Sequence, residues 1–173
     1  MPSNIEVKAA LRDPAAAEAI AARLSGGGPE ILRQDDLFFR SPGARLKLRI
    51  LGPHRGELIR YERADIAGLR ASRYEIARTE DPDRLLNILT AALEQVGRVK
   101  KTRQLYLVGQ TRIHIDAVEG LGNFLELEVV LQPGQSEAEG RQIATGLLDQ
   151  FGISQDDVLA GAYVDLLGAR QLH

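Results

Sequence analysis

The chain has 173 residues, 44% of them hydrophobic and 27% charged, enough to bury the core of one soluble domain of ordinary size. With no cysteine it has no disulfide framework, no thiolate metal site and no cysteine nucleophile. A net charge of -2 with 5% aromatic residues argues against a dedicated nucleic-acid binder. The N-terminal MPSNIEVKAAL lacks the apolar core of a signal peptide, and no window approaches the roughly eighteen apolar residues of a membrane span. The sequence therefore reads as cytoplasmic, with no membrane partner and a single domain over residues 1–173.

Residues 4–9 alternate Asn4, Glu6 and Lys8 with Ile5, Val7 and Ala9, the pattern of a strand with one polar face. Asp13 and Pro14 open an Ala-rich helix that reaches Leu24 and stops at Gly26, Gly27 and Gly28. These glycines are a helix stop and not a phosphate loop, because no GK[ST] follows. Residues 31–39 read as a strand. Residues 45–51 then set Arg45, Lys47 and Arg49 against Leu46, Leu48 and Ile50, so three cations share a face. A hairpin connection over 52–56 leads to a returning strand over 57–63, where parity puts Arg60 and Arg63 on opposite faces. Residues 64–71 show little periodicity and read as a loop or lid, followed by a strand over 72–77. Asp81 and Pro82 start an amphipathic helix expected to run through Val96 and stop at Gly97. On the strand over 99–108, Lys101 and Arg103 share a face.

The central feature is RIHIDAVEGLGNFLELEVVL, residues 112–131. Arg112, His114 and Asp116 alternate with Ile113, Ile115 and Ala117, a Gly-rich turn reverses the chain, and Glu126 and Glu128 then alternate with Leu125, Leu127 and Val129. Hairpin pairing can bring Asp116, Glu126 and Glu128 onto one face, where they need a cation or basic neighbours to stay ionised. His114 reads as structural, and the three histidines, His54, His114 and His173, suggest no metal cluster. Ser136 with Glu139 is a capping-box signature for a helix ending near Gly152, and Ser154 with Asp157 suggests one more capped helical segment reaching Leu167. Carboxylates on the first and late strands, cations on the middle ones and amphipathic helices between them suit an α+β fold, a closed barrel with a charged lumen and helices packed outside.

The order of these pieces, NIEVK, RLKLR, LIRYERAD, SRY, VKKTR, RIHIDAVEGLGNFLELE and GAYVDLL, resembles the CYTH superfamily of triphosphate tunnel metalloenzymes over nearly the whole chain. The superfamily includes class IV adenylate cyclases and thiamine triphosphatases. The resemblance implies an eight-stranded antiparallel barrel, a triphosphate tunnel that holds a triphosphate with Mg²⁺ or Mn²⁺. It implies metal ligands at Glu6, Glu126 and Glu128, phosphate contacts at Lys47, Arg49, Arg63, Lys101 and Arg103, and an acidic tunnel position at Asp116. Lys8 or Asp116 would assist proton removal. The family signature Glu-any-Glu-any-Lys is broken here by Asn4 in its first position. A neutral Asn oxygen binds a hard cation more weakly than a carboxylate, so a triphosphate- or polyphosphate-binding module with little turnover is the alternative. ATP, thiamine triphosphate and tripolyphosphate are the candidate ligands, and hydrolysis and cyclisation both fit the residues. Exposed apolar residues on the later helices would support a homodimer.

Overall fold

A computed structural model of the chain describes residues 2–171, so His173 lies outside the described residues. Eight strands form the barrel: β1 (Ser3–Ala10), β2 (Glu30–Phe39), β3 (Arg45–Gly52), β4 (Arg55–Arg63), β5 (Arg70–Thr79), β6 (Gln95–Val108), β7 (Thr111–Val118) and β8 (Gly122–Val130). They follow the order β5-β4-β3-β2-β6-β7-β8-β1, and antiparallel pairing of β1 with β5 closes the ring. Closure leaves two environments for each strand. Side chains of one parity meet in the lumen, and those of the other meet helices or solvent.

The helices cover the outer apolar parity. In α1 (Pro14–Ser25) the side chain of Asp13 accepts from the Ala16 N–H, Pro14 fills the first turn, and Gly26 ends the helix at φ 73°. Ala17 and Ala21 let α1 lie close to Tyr106, Ile113, Ile115 and Leu125. The capping box of Ser136 and Glu139 starts α3 (Glu137–Phe151), which seats Ala144 on Ile5 and Val129. Gly140 is required for this approach, since a Cβ there would run into Ile5 and Leu131. On the other side of the ring, α2 (Pro82–Ala92) packs Leu85, Leu86 and Leu89 on Leu37, Phe39 and Leu48.

The expected boundaries change in three places. α2 stops at Ala92 instead of Gly97, and Val96 and Gly97 belong to β6. Pairing with β2 satisfies the backbone there, with Gly97 opposite Phe38, and the missing side chain makes room for Val164. The loop between β4 and β5 is shorter than residues 64–71, because Arg70 and Ala71 already pair with Glu6 and Ile5 of β1. The last segment is not one helix from Ser154. Gln155–Asp157 is a 3-10 turn, β9 (Val158–Leu159) pairs with Ala9 and Lys8 beyond the end of β5, and α4 (Tyr163–Gln171) follows a left-handed Gly161 at φ 77°. Thus β9 extends the β1–β5 seam, and α4 brings Tyr163 onto Phe38, Val99, Val118 and Phe124 as an apolar floor to the lumen. Among the described residues no helix is long and apolar enough to cross a membrane.

Candidate active site in the barrel lumen

The lumen is a cavity of about 330 Å³, lined by side chains from all eight barrel strands. That is the size of a small-molecule site, but most of its polar groups are charged. Strand parity explains the selection: Lys47 and Arg49 on β3, Asp36 on β2, Arg63 on β4, Lys101 and Arg103 on β6, Arg112 and His114 on β7, Glu126 and Glu128 on β8, and Glu6 and Lys8 on β1 all line it. Arg60, of the opposite parity, pairs with Glu62 on the outside.

On one wall three cations share a single carboxylate. Lys47 Nζ donates to Asp36 Oδ2 at 2.9 Å, Arg49 donates through Nε and Nη2 at 2.8 and 2.9 Å, and Lys101 Nζ lies 3.5 Å from Oδ2. Asp36 is 1% exposed. Burial alone would raise its pKa, but Arg49, Lys47 and Lys101 together hold it well below the usual carboxylate range. One carboxylate cannot neutralise three cations, and the excess falls on the lysines. Burial, reinforced by Arg103 and opposed by Asp36, pushes Lys101 down to about 7. Half the ring away, β8 and β1 place Glu126, Glu128 and Glu6 in direct register, Glu6 opposite Glu128 and Lys8 opposite Glu126.

Each of these carboxylates has an assigned basic neighbour. Arg103 is bidentate on Asp116 at 2.7 Å for both bonds and uses Nη2 again on Glu126 Oε2 at 2.7 Å. Tyr163 donates its hydroxyl to Asp116 at 2.8 Å. Burial would raise the pKa of Asp116, but Arg103 holds it at about 2. Arg112 donates to Glu128 Oε2 at 2.9 Å. Glu6 accepts from Arg63 Nη1 at 2.6 Å and from Arg70 Nε at 3.0 Å. Lys8 sits 3.9 Å above the Tyr163 ring and 3.9 Å from Glu126. Burial, partly offset by Glu126, lowers Lys8 to about 8.

Every expected site residue except Asp116 lines the lumen, and Asp116 reaches it through Arg103. Three participants were not singled out from sequence. Asp36 ends the polar run Arg33, Gln34, Asp35, Asp36, where alternation assigns no face, and Tyr163 stands out in the sequence only as part of the terminal GAYVDLL. Arg70 lay in what read as a loop; its Nη1 and Nη2 donate to the carbonyls of Ile66 and Gly161, joining Glu6 to the turn before α4. Several buried polar atoms find no partner among the described residues: Nε and Nη2 of Arg63, Nδ1 of His114 and Oδ1 of Asn4. Unused donors and acceptors aimed into a cavity are what a polar ligand satisfies. His114, Glu126 and Glu128 each offer a ligand atom, all within 4.8 Å of one another, so the residues fit a divalent cation.

The CYTH domain family model matches residues 3–163. The chain belongs to the CYTH domain family. It is 26% identical over 172 residues to adenylate cyclase CyaB of Aeromonas hydrophila, an alignment covering 92% of this chain and 86% of that protein. Among solved structures, the PH1012 protein of Pyrococcus horikoshii OT3 superposes with a TM-score of 0.78 at 23% identity, covering 95% of this chain and 99% of that one. A conserved hypothetical protein of Pyrococcus furiosus gives 0.80 at 18% identity, covering 94% and 99%. At such identities the two structures speak for the CYTH fold alone.

The lowered lysines make a stability prediction with a definite sign. Between about 7 and 10.5 the unfolded chain keeps a proton on Lys101 that the folded chain has released, so unfolding takes up protons and stability rises with pH through that window. The unfolding free energy of the free protein from urea titration should climb from pH 7 to 9.5, by at most about 1.4 kcal/mol per pH unit for each such group. Lys101→Met should flatten the climb, and an unchanged slope would show that Lys101 is charged at neutral pH.

Proposed function

We propose that this chain binds the phosphate chain of an organic or inorganic triphosphate in the lumen and cleaves it with the help of a divalent cation. The observation that carries this reading is the asymmetry of the lumen, with Lys47, Arg49 and Lys101 sharing Asp36 on one wall and paired carboxylates on the facing one. A run of phosphates carries several negative charges on spaced oxygens, which Arg grips through its fork and Lys as a point charge. Arg63 has two further N–H groups to offer it. When bound at the acidic wall, a divalent cation would neutralise charge on the phosphates and polarise their P–O bonds.

The remaining chemistry is positioning and one proton transfer. Asp116 is a poor base, because Arg103 holds it at about 2 and it already accepts from Tyr163. Lys8, lowered to about 8, can give up its proton near neutral pH and is the better base. In cyclisation the ribose 3′ oxygen bonds to the α-phosphorus, its proton passes to Lys8, and the bond to the β-phosphate breaks with pyrophosphate leaving. In hydrolysis a water oxygen bonds to the terminal phosphorus, one of its protons passes to Lys8, and the bond from that phosphorus to the bridging oxygen breaks, so that orthophosphate and the shortened phosphate chain leave. The name of the Aeromonas relative makes ATP cyclisation the first reaction to try.

Product analysis decides between them. The purified protein should be incubated with Mg²⁺ or Mn²⁺ and ATP, thiamine triphosphate or tripolyphosphate, beside the Glu126→Ala/Glu128→Ala double variant. Cyclic AMP plus pyrophosphate, lost in the variant, is the expected result. Orthophosphate lost in the variant would instead mark a hydrolase. Tight triphosphate binding without turnover would replace the enzyme reading by a binding module, and neither binding nor turnover would overturn the reading altogether.

A further inference from the structure

Two neutral amides face each other across a lumen whose polar side chains are mostly charged. Asn4 on β1 is 3% exposed and Gln34 on β2 is 5% exposed, and both line the cavity. In the ring β5-β4-β3-β2-β6-β7-β8-β1, closed by β1 on β5, these two strands stand on opposite sides. Asn4 Oδ1 and Gln34 Oε1 find no hydrogen-bond partner among the described residues. Leaving a buried amide oxygen unpaired is costly, and two of them in one cavity mark groups that a ligand satisfies. The phosphate chain cannot do so, because an ionised phosphate oxygen accepts hydrogen bonds and these oxygens need a donor.

The two amides also stand at a comparable distance from the floor. Lys8, which lies over the Tyr163 ring, is four residues from Asn4 along β1, and Phe38, packed with Tyr163, is four residues from Gln34 along β2. At ~3.3 Å per residue, each amide is about 13 Å along its strand from the floor. Glu6 on β1 and Asp36 on β2 come in between, so the charged groups lie deeper and the amides lie toward the open mouth. At that end Leu32, Leu51 and Leu105 line the cavity and offer apolar walls to a flat ring. An amide sets a carbonyl acceptor beside N–H donors, so it pairs best with a group that sets a donor beside an acceptor. An exocyclic amine next to a ring nitrogen is such a group, as when Asn or Gln reads adenine.

We infer that Asn4 and Gln34 are specificity residues that hydrogen-bond an amino-substituted heterocycle carried by the triphosphate, holding it toward the mouth while the phosphates lie deeper. The inference rests on the triphosphate reading and adds the chemistry of the organic group, an aminopyrimidine edge that ATP and thiamine triphosphate share. Calorimetric titrations in EDTA, repeated with Mg²⁺, compare ATP, the purine ribonucleoside triphosphate that lacks the amino group, and tripolyphosphate. The wild-type protein should bind ATP at least about tenfold more tightly than either of the others. Asn4→Leu and Gln34→Met keep the side-chain volume and remove the hydrogen bonds, so each should erase most of that preference. Tripolyphosphate affinity should stay within about twofold in both variants, since the phosphates bind elsewhere in the lumen, and its retention shows that the variant is folded. ATP bound no more tightly than the analogue without the amino group, or a preference that survives both substitutions, would overturn the inference and leave the amides to water. Equal losses of ATP and tripolyphosphate affinity would overturn it as well, by giving the two residues a structural role. Failure of both tripolyphosphate and ATP to bind the wild type under either condition would instead overturn the triphosphate reading beneath it.

Discussion

Asp36→Ala should destabilise the free protein by about 3–5 kcal/mol, the usual cost of breaking a buried ion pair from one side. The carboxylate accepts from Lys47 and Arg49 and lies near Lys101, so its loss leaves three cations facing one another in a closed barrel. The protein has one way to soften this. Lys101 is already lowered to about 7 and Lys47 is lowered as well, so both can release protons, whereas Arg49 cannot. The deficit should therefore be larger at pH 6 than at pH 9. An anionic ligand should also substitute for the missing carboxylate. At a hundredfold excess over its dissociation constant, tripolyphosphate would restore about 2.7 kcal/mol. Urea unfolding with and without tripolyphosphate at the two pH values measures all three effects. A loss below about 1 kcal/mol would mean that Asp36 does not balance this wall, and absence of rescue would count against anion binding there.

This arrangement also explains what could be read from the sequence. The inward face of each strand was legible because a closed barrel imposes one parity along its whole length: Lys47 with Arg49, Lys101 with Arg103, and Glu126 with Glu128 were placed correctly from alternation alone. The hairpin brought Asp116 onto the face of Glu126, as its turn chemistry required. Contacts at the closing seam were not legible, since they depend on pairing between β1 and β5, which are far apart in sequence. The partnership of Glu6 with Arg63 and Arg70 is of this kind. Alternation gives the face of a charged residue and says nothing about the charge it meets. At the C-terminus the Ser154 hydroxyl does donate to the Asp157 carboxylate, but the 3-10 turn there has no side-chain cap on its backbone, and one local contact cannot say how far a helix runs. Pairing of β9 with β1 interrupts it before α4.

Arg103→Met should have the second large effect, on catalysis and on folding together. Arg103 is the common partner of Asp116 and Glu126, and both its contacts are nearly dry. Met keeps much of the volume but leaves two buried carboxylates without their main cation, at a cost of about 3–5 kcal/mol at neutral pH. The pH dependence separates this mechanism from a general packing defect. In the wild type Asp116 is held at about 2 and Glu126 well below its usual range, so their contribution is present above the unfolded carboxylate range near pH 4 and is lost as pH falls through the folded values. Without Arg103, burial dominates Asp116 and raises its pKa above that of the unfolded chain. The folded variant then keeps a proton that the unfolded chain releases, so the variant loses stability as pH rises from 4 to 7. The difference between the two proteins should be small near pH 3 and largest at pH 7. On the triphosphate reading, turnover by the folded fraction should fall by on the order of 10²–10³, because Arg103 positions the acidic wall and borders the proposed phosphate site. Arg103→Lys keeps the charge and gives up the bidentate fork, so it should recover more stability than activity. A deficit independent of pH would assign the loss to packing, and full activity in Arg103→Met would remove Arg103 from the site.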